Sequence, residues 1–126
     1  MKNFSGQSIS WDVKDSVIEL ALHRAPCNEI GTVTLGELEQ FAAALPVLQG
    51  QAHSLILYST MKSGFCSGAD LSELYYGAQK LQSQEAARGV RDFLQRIHKV
   101  MNTIDAAPLT TIAALHGVTF LSLIHI

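Results

Sequence analysis

The residues of this 126-residue chain whose types and spacing suit chemistry lie mainly in one stretch, Ser63 to Asp70, which reads SGFCSGAD. It joins an apolar, strand-like run to a helix start, and Gly64 and Gly68 permit close backbone approach or positive φ. The first amides of a helix have no internal partner, so they point at whatever anion or oxyanion sits beyond them. An ordinary tight connection uses the same residues, and the spacing alone leaves both readings open. Other chemistries fit less well. Gly64-Phe65-Cys66-Ser67-Gly68 is not a nucleophile elbow, because GxSxG centres its serine between the glycines. Cys66 has no base near it in sequence and reads as an inert, half-buried thiol. Neither GxGxxG nor GxxxxGK[ST] occurs, so the usual nucleotide-binding loops are missing. The five histidines, His23, His53, His98, His116 and His125, form no HxH or HExxH arrangement, so no metal site is expected.

The elements that must position this stretch follow from hydrophobic periodicity. Ile9 to Val13 and Val17 to Leu22 alternate with period two around Lys14, Asp15 and Ser16, which predicts a hairpin with a turn of about three residues. Pro26 cannot donate to a strand ladder, so an irregular loop begins at His23 to Pro26. Thr34 and Glu37 match a capping box ahead of Leu35, Leu38, Phe41, Ala42, Leu45 and Leu48, predicting an amphipathic helix that Pro46 closes early. Ser54 to Ser59 is a continuous apolar run of strand length, the pattern of a strand buried on both faces. A short helix is predicted over 71–76. A long one begins at Ser83, with its apolar stripe at Ala86, Val90, Phe93, Leu94, Ile97, Val100, Met101 and Ile104. Pro108 ends it, and Thr110 to Leu115 is a further buried strand. The whole is an α/β pattern in one domain.

Composition narrows the partners. Nine Lys plus Arg against eleven Asp plus Glu give a net charge of −2, with no basic field for a phosphate backbone, so nucleic acid is not expected. The hydrophobic share of 48% and mean hydropathy of +0.18 require a packed core and exclude disorder over most of the length. Cys27 and Cys66 form no CxxC pair, and reduced thiols in a cytoplasmic protein are the expectation. The N-terminus lacks a signal-peptide core, and the run Leu109 to Ile126 is interrupted by polar residues, so no membrane span is expected.

Phe65-Cys66-Ser67-Gly68-Ala69-Asp70-Leu71 resembles the F-[CS]-[AS]-G-A-D-[LI] loop of the enoyl-CoA hydratase/isomerase (crotonase) family, and Ser54 to Ser59 resembles the strand before it. Pro108, Thr111 to Ala114 and His116-Gly117-Val118 resemble the family's P-[LV]-[IV]-A-A-[VIL]-[NH]-G-V stretch. Arg24-Ala25-Pro26 with Asn28 is similar to its early R-P-x-x-x-N loop, altered by Cys27. The resemblance runs in order from about Ile9 to Phe120. It implies an α/β, crotonase-like spiral of β-β-α units, here only its N-terminal part. It also implies an acyl-CoA thioester as substrate, hydrated or isomerised, with no cofactor beyond the coenzyme A of that substrate. The intact parent would be a homo-oligomer, a trimer or a dimer of trimers. The family's first oxyanion donor is the backbone amide of the GAD alanine, here Ala69. In the family coenzyme A lies along this loop, and the resemblance therefore implicates Ala69, Asp70, Leu71 and Ser72, with Arg24 and Cys27 from the early loop.

The resemblance stops at Leu121. The family continues with three glycines, the second carrying the other oxyanion amide, whereas this chain reads LSLIHI, with Ser122 at that position and His125 where some hydratases place a glutamate. The expected division is therefore 1–120 as the N-terminal part of a crotonase-like domain and 121–126 as a non-family tail, with no activity as given. A non-enzymatic alternative is a small α/β regulatory module resembling anti-sigma-factor antagonists, with Ser63 or Ser67 as phosphoacceptor.

Overall fold

A computed structural model of the chain describes residues 3–80 and 82–119, apart from the side chain of Ala78. Strands β2 (Ile9–Lys14) and β3 (Val17–Leu22) form the expected hairpin, in register from Ile9 opposite Leu22 to Lys14 opposite Val17. Its turn is shorter than expected. Only Asp15 and Ser16 lie between the strands, with φ of 51° and 64°, the doubly left-handed geometry whose twist suits a two-residue hairpin. Strand β1 (Phe4–Ser5) pairs antiparallel with β2, while β4 (Ser54–Ser59) runs parallel to β3. β6 (Thr110–Ala113) runs parallel to β4 and completes a five-stranded sheet of order β1-β2-β3-β4-β6. Parallel neighbours need crossovers. Helix α1 (Thr32–Leu48) supplies the first, and α2 (Leu71–Gln79) with α3 (Ser83–Ala106) supplies the second.

The helices cover one face of the sheet, and that decides what is buried. Ile9, Trp11, Ile18, Leu20, Leu55 and Leu57 meet Leu35, Leu38, Phe41, Leu45 and Leu48 of α1 and Ile97, Val100, Met101 and Ile104 of α3. Trp11 stacks on Phe4 and meets Phe41 edge-on. On the opposite face of β4, Ile56 and Tyr58 are half-buried, and Ile112 of β6 is exposed. The expectation that these strands are buried on both faces is thus corrected to one face. The apolar stripe of α3 is likewise buried only in its second half. Ala86, Val90 and Phe93 are half-buried and Leu94 is exposed, because this end of α3 packs against α2.

The capping box is also overturned. Helix α1 begins at Thr32, three residues earlier than a Thr34 N-cap implies, with Gly31 as its N-cap and no side-chain cap. Thr34 instead donates to the Glu29 carbonyl. Glu37 turns away from the helix end and accepts the backbone N–H groups of Gln7, Ser8 and Ile9 at 2.8, 2.8 and 3.0 Å. Pro46 sits inside the last turn without ending it, since the helix continues to Leu48 and a 3-10 turn follows at Gln49–Gln51. The second helix runs to Gln79 rather than residue 76, and the last long strand stops at Ala113 rather than Leu115. Among the described residues no helix is long and apolar enough to cross a membrane.

Besides β1, one short strand pairing was not expected from the sequence. Gly64–Cys66 forms a short strand, β5, paired with β7 (Val118–Thr119) as a separate two-stranded sheet. Gly64 has φ +147°, and a Cβ there would stand 2.1 Å from the Val118 nitrogen, so the two backbones meet only because it is glycine.

Candidate active site

The segment 63–70 leaves β5 and enters α2, and three of its four last amides are occupied. Ser67 N–H donates to Cys27 O at 3.0 Å, and Gly68 N–H to Cys66 Sγ at 3.2 Å. Ile30 and Ala69 form an isolated parallel bridge, in which Ile30 N–H donates to Gly68 O at 2.7 Å and Asp70 N–H to Ile30 O at 2.9 Å. A parallel bridge uses the groups either side of Ala69 and not its own amide. Among the described residues the Ala69 N–H has no acceptor, and Ala69 is half-buried.

Asp70 fixes the next step. Its Oδ1 accepts the Glu73 N–H at 3.1 Å as the N-cap of α2, and its Oδ2 accepts Arg24 at 2.8 Å. Burial of Asp70 would raise its carboxyl pKa, but the Glu73 N–H, the Arg24 guanidinium and the Ser72 N–H outweigh it and hold the group below its ordinary value. Arg24 also donates to Glu29 O at 2.7 Å, and Glu73 accepts the Thr32 N–H, which serves the open start of α1.

The far side of the loop is closed by Asn28, which is buried at φ 55°. It donates to Phe65 O and Ser59 Oγ and accepts the Arg24 N–H. Cys66 donates to Asn28 O at 3.2 Å. Burial pushes the Cys66 thiol up, opposed by the Gly68 N–H and helped by the Glu29 carboxylate, so it stays protonated at neutral pH. A cavity of only about 10 Å³ lies behind it, bounded by Asn28, Thr34 and Leu57 among others. His116 Nε2 lies 2.9 Å from Met61 O, which draws the His116-Gly117-Val118 segment to the same loop.

The structure therefore brings together Arg24, Cys27, Ala69, Asp70, Leu71 and Ser72, the six residues implicated by resemblance. Leu71 and Ser72 are exposed at the start of α2, and Cys27 is half-buried at the loop's edge. Ser122 and His125, with the whole proposed 121–126 tail, lie outside the described residues. Ser63, offered as a phosphoacceptor, is exposed and donates to Pro26 O, while Ser67 is half-buried. Asn28, Ser59 and Ile30 were missed as contributors. Asn28 stood in the quoted motif, but the reach of its side chain to residues 59 and 65 has no signal in sequence.

Comparison with known proteins bears directly on this arrangement. No protein-family model matches the chain. The human enoyl-CoA hydratase domain-containing protein 2, mitochondrial, is 37% identical over 102 residues, covering 80% of this chain and 32% of that protein. An enoyl-CoA isomerase/hydratase of Zymoseptoria tritici is 31% identical over 94% of this chain and 40% of its own length. The chain belongs to the enoyl-CoA hydratase/isomerase (crotonase) family. An enoyl-CoA hydratase from Bacillus anthracis matches with TM-score 0.71 at 26% identity, covering 88% of this chain and 40% of that one. An enoyl-CoA hydratase/carnithine racemase from Magnetospirillum magneticum has TM-score 0.74 at 20% identity, covering 92% and 41%, and shows the fold alone. The fold is thus the N-terminal part of the crotonase fold. The chain spans about a third of the length of the first curated relatives it matches. The regulatory-module alternative finds no support among these relatives.

Proposed function

We propose that this chain carries the first half of an oxyanion hole for an acyl-CoA thioester, with the Ala69 N–H as donor. The observation that carries the reading is an amide with no acceptor among the described residues, held between two bridged neighbours at a strand-to-helix junction. A preorganised N–H lowers the energy of a developing thioester enolate or oxyanion without a charged side chain, because no reorganisation is needed when the charge forms. Coenzyme A would run past Ala69 along Leu71 and Ser72, with Cys27 at its margin.

Hydration or double-bond isomerisation by the whole protein belongs to the same proposal. Both need a second amide and a proton-handling carboxylate. Asp70 and Glu73 are each held by other groups, so the described residues offer no free carboxylate next to Ala69 in sequence. The reading accordingly has the 126-residue chain bind a thioester but turn it over near the background rate. A trimer or dimer of trimers rests on the resemblance alone. The relatives named above include a mitochondrial protein, and the two free thiols suit any reducing compartment, the cytoplasm included.

The test is a thermal-shift comparison of butyryl-CoA with free coenzyme A. Ligand binding to the folded state stabilises it by RT ln(1 + L/Kd), where L is the free ligand concentration, so at equal concentrations the reading expects a larger rise with the thioester. Equal shifts, or none, would overturn it.

A further inference from the structure

Arg24 is the natural candidate for a cation that grips a coenzyme A phosphate, yet its guanidinium is already committed on both sides of the Ile30–Ala69 bridge. One end donates to Glu29 O at 2.7 Å, the carbonyl immediately before Ile30. The other donates to Asp70 Oδ2 at 2.8 Å, on the residue immediately after Ala69. A third group, Glu73 Oε2, lies 3.9 Å away. A planar fork with five N–H donors can span two acceptors in this way, and an ammonium cannot do so with the same geometry. From this cross-strand contact we infer that Arg24 is a positioning residue, which aims the Ala69 amide through Asp70, and not a phosphate ligand; the inference rests on the proposed role of Ala69.

The orientation of the Ala69 amide depends on what is left free to rotate. The peptide before Ala69 is held by Ile30 N–H and the one after it by Ile30 O. Ser67 N–H on Cys27 O and Cys66 on Asn28 O brace the side of the bridge before Ala69, so the freedom that remains is a twist on the Asp70 side. The Arg24 strut removes that freedom, because it fixes the Asp70 side chain against Glu29 while Asp70 Oδ1 is anchored on the Glu73 N–H. Asp70 is buried and the Arg24 side chain is 31% exposed, so water competes only partly for the pair. Orientation is where a donor gains or loses its worth, since small misplacements cost large factors.

The test measures affinities of the full chain for butyryl-CoA and for free coenzyme A by calorimetry, in wild type, Arg24→Lys, Arg24→Gln and Asp70→Asn. Asp70→Asn keeps an oxygen for the Glu73 N–H and removes the charge that draws Arg24, so it loosens the strut without uncapping α2. The inference expects each variant to bind butyryl-CoA more weakly, roughly 3- to 10-fold, the worth of a neutral hydrogen bond to the thioester carbonyl. Free coenzyme A affinity should stay within about twofold. Arg24→Lys should not rescue, and Arg24→Gln combined with Asp70→Asn should be no worse than either alone. A general loosening of the fold would weaken both ligands together. The inference is overturned if free coenzyme A is lost in parallel with salt-dependent rescue by Arg24→Lys, or if the variants bind butyryl-CoA as wild type does. Wild type that does not prefer butyryl-CoA over free coenzyme A sinks the proposed role of Ala69 instead.

Discussion

Replacing Glu37 by Ala should cost this fold more than any other single change to a charged residue described above. The carboxylate accepts three backbone donors, from Gln7, Ser8 and Ile9. Gln7 is exposed, so water replaces the lost acceptor there at little cost. Ser8 and Ile9 are buried, at 3% and 0% exposure, and their amides would be left without partners. An orphaned buried amide costs about 1–3 kcal/mol, which puts the total at roughly 2–6 kcal/mol. Against a typical domain stability of about 5–15 kcal/mol that is a large fraction, equivalent to a fall in Tm on the order of 10–20 °C. Glu37→Gln keeps one acceptor oxygen and should lose less than half as much. Gly6→Ala should copy the defect, because a Cβ at Gly6 would stand 2.6 Å from the Glu37 carboxylate atoms. The assay is urea and thermal unfolding of the three variants beside wild type. A Glu37→Ala chain within about 1 kcal/mol of wild type would refute the reasoning, since it would mean the amides find other partners.

Gly64→Ala should separate β5 from β7, because the new Cβ meets backbone at 2.1 Å and the φ of +147° is strained for alanine; the expected cost is about 1–3 kcal/mol, with loss of hydrogen-exchange protection at Val118, and a variant with Val118 still protected would contradict it. Iodoacetamide should label half-buried Cys27 well before Cys66, whose burial both blocks access and pushes its thiol up, and equal rates in the native chain would contradict the packing of the loop. The Asp70–Arg24 pair should stabilise wild type over Asp70→Asn by roughly 1–3 kcal/mol near neutral pH, between exposed and buried pairs. Because the folded Asp70 value lies below 3.8, that advantage is present above 3.8 and is lost as pH falls through the lower folded value; an advantage unchanged in acid would refute the assignment.

What the sequence showed and hid follows from how far each interaction reaches. The hairpin, α1, α3 and the strand at Ser54–Ser59 were legible because period-two and period-3.6 patterns are local. The loop at Ser63–Asp70 was legible through its glycines and its resemblance. The role of Glu37 was not, since a Thr34–Glu37 spacing fits a capping box, and only the fold shows that residues 7–9 lie opposite it. The same holds for Arg24 and Asp70, 46 residues apart, and for the Ile30–Ala69 bridge. The one-sided burial of β4 and β6 was misread because a continuous apolar run does not say how many faces the helices cover.

The central claim is that the Ala69 N–H donates to a thioester carbonyl, and the amide itself is the most direct witness. In nitrogen–proton correlation spectra of the chain titrated with butyryl-CoA, the account predicts that the Ala69 amide proton moves downfield and that its exchange with solvent slows, while free coenzyme A leaves it in place. The bridged amides of Ile30 and Asp70 should shift little, because their partners are already made. An Ala69 amide that does not respond to the thioester, in a chain whose Leu71 and Ser72 amides do, would contradict the account.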